Sequence, residues 1–181
     1  MHQQVTLKTE LKRKEISAAG GRFAIVVSRW NDELTSKIAA GARRALVERG
    51  ADPEFVLEFE VPGAFELPVA CHRLANTGNY HAIIALGVVI RGDTPHFDFV
   101  AGQAAAGIMQ ASISTNTPIM FGVVTTNNYE QALERCGDGD DNKGYEAAIS
   151  AIETADTMAD ISKRSTALFE EKIRPLYLNV T

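Results

Sequence analysis

Apolar positions along this chain follow two rhythms that take turns. Short unbroken apolar runs at 23–28 (FAIVVS), 82–90 (AIIALGVVI) and 118–126 (PIMFGVVTT) predict strands buried on both faces. Residues 54–61 (EFVLEFEV) predict a further strand that runs into a turn at Pro62-Gly63. Between these runs the spacing becomes helical. Leu34, Ile38, Ala42, Ala45 and Leu46 share one face of a helix over 32–49, and Gly50 stands where a C-cap belongs. Further helices are predicted over 64–76, closed by Gly78, and over the alanine-rich segment 97–115. Asn127 and Glu130 read as a capping box for a helix that stops near Cys136-Gly137. A polar loop over 137–141 then leads to a last helix from about Asn142 to Ile161.

Strand-helix alternation of this kind predicts an α/β domain whose parallel sheet is covered on both faces. Four core strands point to a flavodoxin-like three-layer α/β/α sandwich. Residues 1–20 and 163–181 fall outside the alternation, so they read as an N-terminal arm and a C-terminal extension of a domain over 21–162. At 181 residues the chain can bury a core without disulfides or metals. Cys71 and Cys136 are far apart and neither belongs to a CxxC pair, so no disulfide framework or zinc site is expected and a reducing cytoplasm fits.

Charge narrows the partners. The formal net charge is -5, which disfavours a nucleic-acid role. The densest basic group, Lys8, Lys12, Arg13 and Lys14, is interleaved with Glu10 and Glu15 and reads as a solvated arm. No run approaches the length of a membrane span, and no signal core opens the chain.

In open parallel sheets, ligands bind beyond the carboxyl ends of the strands. That rule selects four loops: Ser28-Arg29-Trp30-Asn31, Pro62-Gly63-Ala64-Phe65-Glu66, Arg91-Gly92-Asp93-Thr94-Pro95-His96 and Asn127-Asn128. Gly92-Asp93-Thr94 precedes a helix, where free backbone amides hold anions; the plainer reading is an ordinary strand-to-helix turn. Neither a GxxxxGK[ST] loop nor a GxGxxG after the first strand is present, so nucleotide fingerprints are lacking. His96 is placed either for proton transfer or as a solvent-facing residue at a helix start. Asp98 complements the helix dipole. Trp30 either stacks on a planar ligand or anchors an interface, and His72 and His81 read as structural. On residues alone, the rim suits a small anionic ligand with a planar ring.

Five strings sharpen that reading: RWN at 29–31, PGAFELP at 62–68, GVVIRGDTPHFDFV at 87–100, PIMFGVVTT at 118–126 and ALER…NKG over 132–144. Together, in order and spacing across about 23–160, they resemble the lumazine synthase family. The resemblance implies condensation of 5-amino-6-(D-ribitylamino)uracil with 3,4-dihydroxy-2-butanone 4-phosphate, the penultimate step of riboflavin biosynthesis, with no cofactor and no metal. It implies that Trp30 stacks on the pyrimidine, that Ala64, Phe65 and Glu66 hold the ribityl chain, and that Val88, Val89 and Ile90 bind the uracil edge. Gly92, Asp93 and Thr94 match the phosphate turn and His96 the catalytic histidine. Phe121, Arg135 and Lys143 match residues supplied across a subunit boundary, Arg135 to phosphate. A homopentamer with shared active sites is therefore expected. The short 137–141 loop favours stacking of twelve pentamers into a 60-subunit icosahedral shell, and riboflavin synthase is a candidate partner. Two features depart from the family pattern: Asp93 puts a carboxylate in the phosphate turn, and Asp138, Asp140 and Asp141 make the loop after Arg135 acidic. The rival from another class is a non-catalytic lumazine- or flavin-binding or shell-forming paralogue, against which intact Glu66, His96 and Arg135 argue. A flavodoxin-like electron carrier would need a phosphate loop after the first strand.

Overall fold

A computed structural model describes residues 16–174. The basic group at 8–14 and the end of the tail from Pro175 lie outside the described residues.

Four strands, β1 (Phe23–Ser28), β2 (Val56–Val61), β3 (Ala82–Ile90) and β4 (Ile119–Thr126), form one sheet in the order β2-β1-β3-β4, every pair parallel. The chain leaves β1 toward one edge and returns to the other, so the switch point of this flavodoxin-like order lies between β1 and β3. Both central strands are buried on both faces over most of their length, which is why their sequences are apolar without alternation. Edge strand β2 is largely exposed, and the charged Glu58 and Glu60 along it discourage unintended pairing.

Two helical layers cover the sheet. One consists of α1 (Asp32–Glu48) and the long α5 (Lys143–Leu168), whose Leu34, Ile38, Leu46, Ala148 and Ile152 pack on Phe23, Ile25, Ile84 and Leu86. The other consists of α2 (Leu67–Ala75) and α3 (His96–Thr115), whose Leu67, Cys71, Ala104 and Ile108 pack on Ala24, Val26, Ile83 and Ala85. A short α4 (Tyr129–Glu134) follows β4. The α1–α5 contact is close enough to require glycine, because a Cβ on Gly144 would lie 1.8 Å from the Ile38 carbonyl oxygen.

Several element ends differ from the sequence reading, each for a local reason. Pro53–Phe55 form a 3₁₀ turn, with the Asp52 carboxylate accepting from the Glu54 amide, so the second strand starts at Val56. Ala64–Glu66 are likewise a 3₁₀ turn, and α2 starts with Pro68 in its first turn, where a missing N–H does no harm. The α4 cap is displaced by one residue from Asn127 and Glu130. Asn128 Oδ1 accepts from the Gln131 amide, and Gln131 Oε1 accepts from the Asn127 amide. The last helix does not stop at Ile161. It continues to Leu168 and through a wider turn at Phe169–Ile173, helped by i,i+4 pairs such as Asp160–Arg164; the first proline beyond it is Pro175. At the other end, Ala18 is buried and its amide donates to the Arg49 carbonyl, so packing onto the domain begins ahead of residue 21. Gly50, at φ +91, ends α1 as expected.

Candidate functional site

The rim at the carboxyl end of the sheet is assembled by hydrogen bonds between loops distant in sequence. After β1 the chain stays zipped to the end of β2, the Arg29 amide donating to the Val61 carbonyl and the Trp30 amide to that of Pro62. Asn31 adopts the left-handed conformation at φ 63, and its side-chain amide donates to the Val88 carbonyl at 2.9 Å, bridging the switch point. This backbone turn carries the Trp30 indole outward, where it is 64% exposed. Gly63 lets the indole lie close, since a Cβ there would meet Trp30 Cε3 at 3.1 Å and Glu66 Oε2 at 3.2 Å. Glu66 folds back so that Oε2 accepts from the Gly63 amide at 2.9 Å.

Beyond β3, the Arg91 amide continues the ladder to the Thr126 carbonyl. The Arg91 guanidinium forks onto Asp98 at 2.7 and 3.1 Å and lies over the Phe97 ring, 4.1 Å from its centroid. The shared hydrogen bonds draw the Asp98 carboxyl below its ordinary range and raise Arg91 above its own. This clamp spans Gly92–Pro95 and places His96 as the first residue of α3. The result is a hollow of about 220 Å³ at the switch point, lined by Trp30, Asn31, Ala64, Val88, Val89, Ile90, Gly92, Thr94 and His96, with Phe97 and Val100 behind them.

A second hollow, about 310 Å³, lies over edge strand β4 on the side of α5. Phe121, half exposed on β4, forms one wall, and Arg135 and Lys143 bring two cations to it. The Lys143 amide donates to the Arg135 carbonyl at 3.0 Å, which closes the base of the intervening loop. Arg135 Nη1 donates to the Gln131 carbonyl and Lys143 Nζ pairs with Glu146 at 2.6 Å. The two hollows share no lining residue.

The structure thus brings together Trp30, Ala64, Val88, Val89, Ile90, Gly92, Thr94 and His96, and separately Phe121, Arg135 and Lys143. Phe65, Glu66 and Asp93 do not line either hollow: Phe65 and Asp93 are exposed, and Glu66 is turned onto Gly63. Sequence reasoning placed Asn31 and Phe97 in the rim segments but gave them no role, and it did not pair Arg91 with Asp98. Asp98 does more than complement a helix dipole, and the signal for it was opposite charge on either side of a short turn. Among the described residues no three His, Cys, Asp or Glu side chains cluster as metal ligands, and no helix is long and apolar enough to cross a membrane.

Comparison with known proteins gives a single answer. Residues 20–159 match the family described as 6,7-dimethyl-8-ribityllumazine synthase. The protein of that name from Chlorobium chlorochromatii is 51% identical over 138 residues, covering 76% of this chain and 89% of the relative. That from Thermus thermophilus is 49% identical over 148 residues, covering 82% and 94%. A Chlorobium phaeobacteroides counterpart is 49% identical over 138 residues, covering 76% and 89%.

Proposed function

The chain belongs to the 6,7-dimethyl-8-ribityllumazine synthase family, and from that membership and the rim geometry we infer how its residues divide the work. It is a transferase of riboflavin biosynthesis. It condenses 5-amino-6-(D-ribitylamino)uracil with 3,4-dihydroxy-2-butanone 4-phosphate and releases phosphate and water. One observation carries the assignment of roles: the hollow at the switch point gathers an exposed indole, the end of β3, a glycine turn and an imidazole around one space.

Trp30 stacks on the pyrimidine, and the backbone of Val88, Val89 and Ile90 hydrogen-bonds its edge. Ala64, Phe65 and Glu66 hold the ribityl chain. Because Glu66 Oε2 already accepts from Gly63, its other oxygen is the one free to take ribityl hydroxyls. The 5-amino group attacks the ketone carbon, and loss of water gives an imine. Elimination of phosphate, tautomerisation and closure by the ribityl-bearing nitrogen, with loss of a second water, complete the lumazine. His96 moves protons during these steps, and the Gly92–Thr94 amides receive the phosphate. Asp93 is exposed and lines neither hollow, so its carboxylate leaves the turn's amides available to an anion. Both reactants are intrinsically reactive, so placement supplies much of the rate; effective molarities of well-oriented groups reach about 10⁵–10⁸ M.

Arg135, Lys143 and Phe121 act on a neighbouring copy's hollow. Two features support this. They share no lining residue with His96, and the His96 hollow alone, about 220 Å³, is smaller than the roughly 300–1,000 Å³ usual for small-molecule sites. The working unit is a homopentamer, its twelve-fold stacking into a shell favoured by the short 137–141 loop, with riboflavin synthase a candidate partner. Two unpaired buried thiols suit a reducing cytoplasm.

The test mixes purified protein with both substrates and follows the product's fluorescence against a control without protein. Catalysis above background that Arg135→Ala slows, chiefly through KM for the phosphate substrate, is expected. Arg135→Ala with unchanged kinetics would remove the assigned phosphate contact. Sedimentation velocity on the same sample reads the assembly, and a lone monomer that remains active would overturn the shared site.

A further inference from the structure

The loop between Arg135 and Lys143 carries Asp138, Asp140 and Asp141, three carboxylates in a loop flanked by the two cations of the second hollow. Their placement is asymmetric. Asp138 lines a separate hollow against α1, together with Lys37 and Arg44, while none of the three lines the hollow of Arg135 and Lys143. Arg44 is the organising side chain. Nη2 donates to the carbonyls of Asp138 at 3.1 Å and Gly139 at 2.9 Å, and Nη1 pairs with Asp140 at 3.2 Å. The guanidinium lies 4.5 Å from the centroid of the Tyr145 ring, whose hydroxyl donates to Glu48, and Glu48 in turn pairs with Arg44. A planar fork is suited to this simultaneous grip on two carbonyls, two carboxylates and a ring, which an ammonium reproduces poorly.

We propose that Arg44 is a positioning residue for the phosphate half-site: it ties the acidic loop onto α1, keeping its carboxylates away from the phosphate held by Arg135 and leaving the two cations to face the opposite side. This rests on the assignment of Arg135 to phosphate. Without Arg44 the 138–140 part of the loop loses its ties to α1, while Asn142 still holds Gly137 to Lys37, and Asp140 is left an uncompensated negative charge. Phosphate is a dianion, which nearby carboxylates repel in proportion to their number, and salt screens that repulsion over about 10 Å at roughly 0.1 M.

The experiment compares Arg44→Gln, Arg44→Lys, Arg135→Gln and the quadruple variant Arg44→Gln/Asp138→Asn/Asp140→Asn/Asp141→Asn in steady-state assays at low and high salt. Arg44→Gln is expected to raise KM for the phosphate substrate by about three- to tenfold at low salt, with the effect shrinking at high salt. Saturating kcat and KM for the ribitylaminouracil stay within about twofold of the parent, since placement of the other half-site is untouched. Arg44→Lys recovers only part of the loss. Neutralising the three aspartates in the Arg44→Gln background restores the phosphate KM, which a purely structural anchor would not do. An unchanged phosphate KM in Arg44→Gln, or no rescue by the asparagines, overturns the proposal. If Arg135→Gln leaves the phosphate KM unchanged as well, it is the phosphate assignment that fails; if only Arg135→Gln raises it, the role of Arg44 alone is wrong.

Discussion

Asn142 joins the 137–141 loop to α1 and α5, and its replacement tests the packing directly. Its side chain is buried, at 2% exposure, and makes four hydrogen bonds. Oδ1 caps α5 by accepting from the amides of Gly144 at 2.9 Å and Tyr145 at 3.1 Å. Nδ2 donates to the carbonyls of Gly137 at 2.7 Å and Lys37 at 3.2 Å. Asn142→Ala removes the cap, about 1 kcal/mol, and two donated bonds at about 1 kcal/mol each, for a loss of roughly 3 kcal/mol. Urea titration at fixed subunit concentration should read that loss, and the thermal midpoint should fall by about 6–12 °C for a chain of this size. Asn142→Asp separates the two halves of the sum. It keeps the acceptor and adds a charge favoured at a helix N-terminus, but sets a carboxylate oxygen against two carbonyl oxygens. The expected net loss is about 2 kcal/mol or more. An aspartate variant as stable as the parent, or an alanine variant within about 1 kcal/mol of it, would show that the donated bonds contribute nothing.

Other outcomes follow from the same geometry. His96→Ala should slow turnover by about 10²-fold yet leave activity above the uncatalysed rate, because placement survives loss of the imidazole; wild-type turnover would sink its role. His81, whose Nδ1 accepts from the Arg22 amide, is lowered below 6.5 by burial first and by Arg22 second. Its folded form therefore prefers the neutral ring, so its contribution to stability is intact above pH 6.5 and is lost as pH falls through the folded value. Relative to His81→Gln, the parent should lose stability between pH 7.5 and the acid side of that value; a constant difference across the window would contradict the assignment. Cys71 is pushed up to about 12 by burial, so a disulfide reagent at pH 8 should leave it untouched in native protein and modify it in urea. Rapid native labelling at Cys71, located by mass spectrometry, would refute its burial.

Much of the architecture was legible because strand and helix periods are local. The apolar runs 23–28 and 82–90 match β1 and β3 residue for residue, since a strand buried on both faces leaves no polar interruption to blur its ends. Edges were blurred where a 3₁₀ turn precedes an element, as at Pro53–Phe55 and Ala64–Glu66, because a single tight turn has too few residues to display a period. The α4 cap shifted to Asn128 because two asparagines in succession offer the same donor and acceptor groups, and only the observed backbone chooses between them.

For the site, the sequence by itself determined which loops reach the rim and that they carry an indole, a glycine turn and an imidazole, while the arginine and lysine of the second hollow were legible only through the family resemblance. Tertiary structure decided their grouping. Asn31 reaches the Val88 carbonyl across 57 residues, and Arg44 reaches Asp140 across 96, distances in sequence over which no local pattern carries information. It was also tertiary structure that put the acidic loop on the α1 side, divided most of the predicted site residues between two hollows with no residue in common, and left Phe65, Glu66 and Asp93 outside both. Periodicity reports which face of an element is buried, but which side chains meet depends on how the covered faces stack, and that is set by the whole sheet and both helical layers together.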